Sequence, residues 1–238
     1  MDSYLSLLSF GPDGWGDDLA AGTWMTIRLA VATLPFGLVL GFFIALAKVS
    51  ERRWLNFIGE TYTTVFRGLP ELLTLFIIYY GGQVLLQRIV GLLFPDAQVG
   101  VNSFVAGMFA LGMVFAAYAS EAFVGAIRAI GKGQFEAGDA LGMRRSTTWF
   151  VVVLPQLIRL SLPALGNLWL VLLKDTALVS VIALNDLLRM TNIAVGATKQ
   201  PFFFYLVALL IYLALSIISS IGLSKLETRF GRGYGAAR

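Results

Sequence analysis

The 238-residue chain contains no cysteine and no histidine, and only 13% of its residues are charged. Without cysteine there is no disulfide scaffold, no thiolate metal site and no cysteine nucleophile. Without histidine the commonest general base, metal ligand and pH-responsive side chain is missing too. A soluble domain carries about 25% charged and roughly 45–50% apolar residues. Here the hydrophobic share is 58% and the mean hydropathy is +0.78. So few charges cannot coat a globule in water, which excludes an ordinary soluble enzyme and a disordered chain. The pI is about 9.5, yet the net charge is only +4 and no lysine–arginine block is dense, which excludes nucleic acid as a partner. What remains is an all-α polytopic membrane protein with little chemistry of its own.

In place of charge the chain has long apolar runs. A helix crossing ~30 Å of hydrocarbon needs about 20 mostly apolar residues. Five runs qualify, at about 23–47, 70–86, 101–118, 150–173 and 202–223. Arg28 in the first is expected to snorkel outward. Pro155 and Pro163 are expected to start or kink the fourth. The opening 22 residues lack the basic start of a signal peptide and carry Asp2, Asp13, Asp17 and Asp18, so they are expected to stay as an extramembrane segment.

Five spans put the termini on opposite sides. With the N-terminus outside, twelve of the 18 lysines and arginines face the cytoplasm, from Lys48 to Arg232 and Arg238, and four (Arg88, Lys174, Arg189, Lys199) face outward. That bias sets the orientation. Residues 1–22 then form the outer N-terminal segment, 23–224 the transmembrane domain, and 225–238 a cytoplasmic tail against anionic lipid headgroups. The outer connection, about 174–201, reads as a re-entrant or surface-lying segment packed on the bundle. No internal repeat and no low-complexity tract is visible.

The cytoplasmic loop between spans three and four carries the most information. Gly131 and Gly133 interrupt a helix, and QFEAGDALGM then offers about two turns ending at Gly142, a natural C-cap. Phe135, Ala137, Ala140 and Leu141 are expected on its apolar side, with Glu136 and Asp139 nearer its N-terminus, where the helix dipole favours acid. A helix this short is not stable alone and needs a docking partner.

The spacing from Glu136 onward resembles the EAA-x3-G-x9-I-x-LP loop of the permease subunits of ATP-binding-cassette importers. Glu136 and Ala137 match, Gly138 stands where the second Ala is usual, and Gly142 falls at the expected step. Val152 replaces Ile before Leu154 and Pro155. GTWMTIRLAV at 22–31, FRGLPELL at 66–73 and LKDTALVSVI at 173–182 are similar to elements of the polar amino acid branch, and within it to permeases for histidine, arginine and opines. The similarity covers about residues 22–229.

The resemblance implies a five-helix type I importer permease fold in a bacterial inner membrane, with a periplasmic N-terminus and a cytoplasmic C-terminus. It implies that the loop at about 131–148, with Glu136, Ala137, Gly138, Gly142, Leu154 and Pro155, couples the chain to ATPase subunits. The implied partners are a second permease, identical or homologous, two cytoplasmic ATP-binding subunits and a periplasmic amino-acid-binding protein. The chain itself has no G-x-x-x-x-G-K-[ST] loop, so ATP and magnesium belong to a partner and this subunit is not an enzyme. No cofactor is expected on this chain.

Asp175, Thr176, Ser180 and Glu121 are the residues expected along a substrate pathway. Asp175 follows an apolar run near the outer end of span four, where it either meets a basic substrate or balances Lys174 and caps the next segment. Glu121 either lines the pathway or pairs locally with Arg128, the preferred reading. Arg67 to Glu71 reads as a juxtamembrane anchor and helix start. The competing class is a stand-alone channel or proton-coupled carrier for small polar solutes. That class calls for titratable groups in mid-membrane, and the sequence shows no clear mid-span acid.

Overall fold

The computed structural model describes residues 6–12, 14–93 and 99–231. Asp2, Asp13, Arg232 and Arg238 lie outside them, as does most of the tail. Among the described residues there is no strand. Five helical stretches are long and apolar enough to cross a membrane, in line with the five apolar runs.

In chain order the elements are α1 (Gly16–Lys48), α2 (Arg53–Gly68) and α3 (Glu71–Phe76), which continues through a π-helical turn (Ile77–Gly81) into α4 (Gly82–Leu93). Then come α5 (Ser103–Ala129), α6 (Gly133–Ala140) and α7 (Arg145–Thr148), followed by a second π turn (Trp149–Val153) and α8 (Leu154–Asp175). A 3-10 helix (Thr176–Ile182), α9 (Leu187–Thr198) and α10 (Pro201–Gly231) complete the fold. The second π turn directly precedes Pro155, which has no N–H to give to the carbonyl four residues back, so the backbone widens there before regular helix resumes.

The bundle centres on α5, the most covered span, with 61% of its apolar window buried, against 6% for 71–92 and 11% for α10. Its start is capped by Asn102, whose side chain accepts from the N–H groups of Phe104 and Val105. Small residues let α1 run close alongside it. A Cβ on Gly41 would stand 2.9 Å from the Ala116 carbonyl oxygen, so only glycine permits this approach. Phe36 on Phe109 (centroids 4.9 Å apart) and Phe42 on Phe123 (5.6 Å) pack edge to face along the same seam. A second apolar cluster joins Leu19, Leu187, Met190 and Phe204 near the expected outer end.

The turn entering α9 explains why Gly22 and Thr26 sit one helical turn apart. A Cβ on Gly22 would lie 2.9 Å from the Asp186 carbonyl oxygen, and Thr26 Oγ1 accepts a 3.2 Å hydrogen bond from the Leu187 N–H. The Asp186 carboxylate caps α9 by accepting from Leu188 and Arg189 N–H at 3.2 and 3.1 Å. Burial pushes that carboxyl up to about 6 against the pull of these bonds.

Candidate functional site

Three features can do work: an exposed helix in the loop between the third and fourth spans, a charged network, and a cleft holding two acids. The loop helix is α6. Gly142 adopts φ +70°, the left-handed conformation that favours glycine. Gly142 N–H donates to Asp139 O at 3.0 Å and Met143 N–H to Gly138 O at 2.9 Å, the paired bonds of a Schellman cap. Phe135 stacks on Trp149, with centroids 6.2 Å apart, and Gly138 is buried against the Thr148 side chain.

The opposite side is bare. Glu136, Ala137 and Ala140 are exposed, and Leu141 is 79% exposed. The expected single apolar side is thus split: Phe135 docks inward while Ala137, Ala140 and Leu141 face out. The reason lies in Trp149 and Thr148, which occupy only the face bearing 135 and 138. Leu154 and Pro155 are not on this helix but at the junction of the π turn and α8, where Leu154 packs on the core. They set the stem on which the helix stands.

The charged network joins the end of α1 to α2 and α5. Lys48 Nζ lies 2.6 Å from Glu121 Oε1 and 3.2 Å from Glu60 Oε2, and donates to Thr63 Oγ1 at 3.2 Å. Arg67 Nη1 meets the same Glu121 oxygen at 2.8 Å, with its guanidinium carbon 5.6 Å from the Tyr118 ring centroid. The Lys48 side chain is only 3% exposed. Glu121 therefore pairs with Lys48 and Arg67, not with Arg128. The local reading fails because Arg128 is seven residues on, while α1 and α2 deliver two cations to the Glu121 side of α5. Arg28, in the N-terminal half of α1, stands over the Phe104 ring at 5.8 Å.

The cleft lies between α3, α5 and α8. Glu71 and Asp175 face each other across it, and Leu111, Phe115, Tyr118 and Leu168 wall it. It has room for about one water molecule. At 1.5 Å per residue, Leu111 to Tyr118 lie within about 8 Å of the midpoint of α5. Both acids therefore sit beside the middle of α5, and Asp175, seven residues short of the end of the helical stretch Arg145–Ile182, corrects the expectation of no acid inside a span. Asp175 is not at the outer end of its span, because the helical backbone continues as the 3-10 helix to Ile182, whose carbonyl accepts from Ser103 Oγ at the start of α5. A hydropathy run stops at the first charges, here Lys174 and Asp175, while the helix does not.

Glu71 was hidden for a related reason. It packs beside the middle of α5 rather than at that helix's end, because α2 runs beside Lys48 and Glu121 before the chain reaches Pro70. The signal available was the acid placed directly after Pro70 at the head of an apolar run. Thr176 and Ser180 are buried and do not line the cleft; Thr176 Oγ1 donates to Leu173 O at 2.8 Å, and the Ser180 carbonyl accepts from Arg189 Nη1 at 3.3 Å. Of the four expected pathway residues only Asp175 reaches it. Glu121 lies one turn beyond Tyr118.

These features define a class: a multi-pass helical membrane protein with a short exposed helix in the loop between its third and fourth spans and acids packed within the bundle. Residues 15–232 match the family described as binding-protein-dependent transport system inner membrane component, and the chain belongs to that family. It is 40% identical to the octopine transport system permease protein OccQ of Rhizobium meliloti, over 97% of each chain. Against the nopaline transport system permease protein NocQ of Agrobacterium fabrum it is 41% identical, over 96% of this chain and 98% of that one. Against the arginine ABC transporter permease protein ArtQ of Escherichia coli it is 40% identical, over 90% and 95%.

Among solved structures, a chain of an amino acid ABC transporter with histidines superposes with a TM-score of 0.76 at 33% identity, covering 90% of this chain and 95% of that one. A chain of the MetNI methionine ABC transporter, 16% identical with a TM-score of 0.66, shares the fold. The fold is that of a type I ABC importer permease, and the chain is a transport subunit, not an enzyme.

Proposed function

We propose that the chain is the permease subunit of an ATP-driven importer for polar, basic amino acids or opines in a bacterial inner membrane. The carrying observation is the Glu71–Asp175 pair in the cleft beside the middle of α5. Two carboxyl groups facing each other in a low-dielectric cleft cannot both carry charge cheaply, and a guanidinium or ammonium group between them offsets that cost while making charge-assisted hydrogen bonds. The octopine, nopaline, arginine and histidine/lysine/arginine/ornithine names of the relatives fit that chemistry.

The cleft as it stands is too narrow for an amino acid and borders span 71–92, the span least covered by its own chain. A second permease, identical or homologous, completes the pathway there, and transport alternates between this narrow form and a wider one. A periplasmic binding protein delivers the solute beside the N-terminus. Two ATP-binding subunits, holding ATP and magnesium, receive α6 with Glu136, Ala137 and Leu141 on the cytoplasmic side, where the C-terminus also lies. Gly138, Gly142, Leu154 and Pro155 shape and mount that helix.

The test is uptake in proteoliposomes carrying the permease, its ATPase and its binding protein. Asp175→Asn is expected to cut arginine uptake by about 10–100-fold, the worth of a charge-assisted hydrogen bond, while binding-protein affinity stays unchanged. Equal loss of neutral amino acid uptake, or no loss at all, overturns the basic-substrate reading.

A further inference from the structure

We infer that Glu121 and the Tyr118 ring form a second station for an organic cation, displaced from the Glu71–Asp175 cleft toward the end of α1, and that the Arg67 guanidinium fills it in this structure. The inference rests on reading the cleft as a cation site. A guanidinium demonstrably fits: Arg67 Nη1 is 2.8 Å from Glu121 Oε1, and its Cζ stands 5.6 Å from the Tyr118 centroid. Tyr118 also walls the cleft, so one ring borders both places. Residues 118 and 121 are three apart on one face of α5, which puts Glu121 about 4.5 Å further along the helix.

The two cations on Glu121 are not equivalent. Lys48 is built in: its side chain is 3% exposed, Thr63 accepts from its Nζ, and a Cβ on Gly59 would stand 2.6 Å from its Cγ. Arg67 has a 45% exposed side chain, sits in the last turn of α2, and is followed by Gly68, around which there is open space. With both present, two cations balance Glu60 and Glu121. If Arg67 swings out, Lys48 still fixes Glu121 in place and one negative charge is left over, which a cationic solute can neutralise. Arg67 and Glu71 are four residues apart across Gly68 and Pro70, so movement of Arg67 is tied to one wall of the cleft. Arg67 thus acts as an internal stand-in that a solute leaving the cleft must displace.

The test uses the assembled transporter in lipid nanodiscs without binding protein or nucleotide, with L-arginine and guanidinium chloride as probes. Arg67→Gln is expected to raise the arginine bound per permease chain from one to two, with the added site lost in Arg67→Gln/Tyr118→Leu and emptied selectively by guanidinium ion. Arg67→Lys keeps one, because a cation still fills the station. Arg67→Met keeps the aliphatic stem and serves as a second variant with the same expected gain. If folded Arg67→Gln and Arg67→Met both bind one arginine, with no guanidinium-sensitive site, the second station does not exist. If neither wild type nor these variants bind arginine, the cleft reading falls with it. If Asp175→Asn removes the first site and Arg67→Gln adds none, the cleft stands and only the second station is overturned.

Discussion

Gly138 lies flat against Thr148: a Cβ at 138 would stand 2.4 Å from Thr148 Oγ1 and 2.7 Å from its Cγ2. The pair explains why this chain has glycine where the resembling loop usually carries a second alanine. A β-branched residue occupies the space that a methyl group would need, and Thr148 is itself buried. Gly138→Ala is therefore expected to loosen α6 from its stem, at about 1–3 kcal/mol of overpacking. Gly138→Ala/Thr148→Ala, which leaves only a tight Cβ contact, should recover most of it. Protease sensitivity of the 131–148 loop, with ATPase activity of the assembled transporter, measures both.

Gly142 tests the cap rather than the packing. Its φ of +70° costs a side-chain-bearing residue roughly 1–2 kcal/mol. Gly142→Val should reduce coupled ATPase activity, whereas Gly142→Asn, which tolerates the left-handed region, should retain most of it. Equal activity in the two variants would show that the cap conformation does not matter to coupling.

The outward side of α6 should behave in the opposite way. Leu141 and Glu136 are exposed among the described residues. Leu141→Asp and Glu136→Lys should change thermal stability by no more than about 0.5 kcal/mol, yet abolish co-purification with the ATPase subunit. A stability loss matching the loss of association would remove the docking reading.

Lys48 is the buried centre of its network, while Glu60 and Glu121 keep partial contact with solvent. Removing one partner of a fully buried pair costs about 3–5 kcal/mol, and the remaining solvation here lowers the expected loss for Lys48→Met to about 1–3 kcal/mol. Lys48→Met/Glu121→Gln should lose less than the sum of its single changes, because the second change removes the stranded charge. Denaturation midpoints in detergent read out the cycle.

Asp186 makes stability depend on pH near the entrance of α9. Its folded value of about 6 lies above the ordinary 3.8, so the folded state holds the proton more tightly. Its contribution is full below about pH 4 and is lost as pH rises toward 6, on the order of 3 kcal/mol at 1.36 kcal/mol per unit. Asp186→Asn preserves a capping acceptor and should flatten this slope. The difference between wild-type and variant melting temperatures at pH 4.5 and pH 7 checks the sign: the variant should gain most, relative to wild type, at pH 7.

The loop helix was legible because its determinants are local. Gly133, Glu136 and Gly142 lie within ten residues, and start, dipole and cap are set by near neighbours along the chain. The six residues of the proposed coupling set spread further than their spacing suggested, since the π turn before Pro155 separates Leu154 and Pro155 from the loop helix. The ion network was not legible in the same way. Lys48 and Glu121 are 73 positions apart, and nothing in the residues around Glu121 distinguishes them from Arg128 as a partner. Gly22 and Thr26 stood out as a motif, but their shared purpose, seating the Asp186–Leu187 backbone, needs an element more than 150 residues away.

Composition and periodicity by themselves determined that this is a helical membrane protein with five candidate spans and that one short loop helix is capped at Gly142. Both follow from transfer energies and backbone preferences that act residue by residue. The missing cysteines, histidines and phosphate loop likewise set aside whole classes of chemistry without any fold. Depth and pairing were decided by tertiary structure alone. Only packing against the middle of α5 shows that Glu71 and Asp175 share one cleft, because a charge interrupts a hydropathy run wherever it falls. Only the approach of α1 and α2 to α5 brings Lys48 and Arg67 to one carboxylate, since Coulomb energy depends on distance in space and not on separation along the chain.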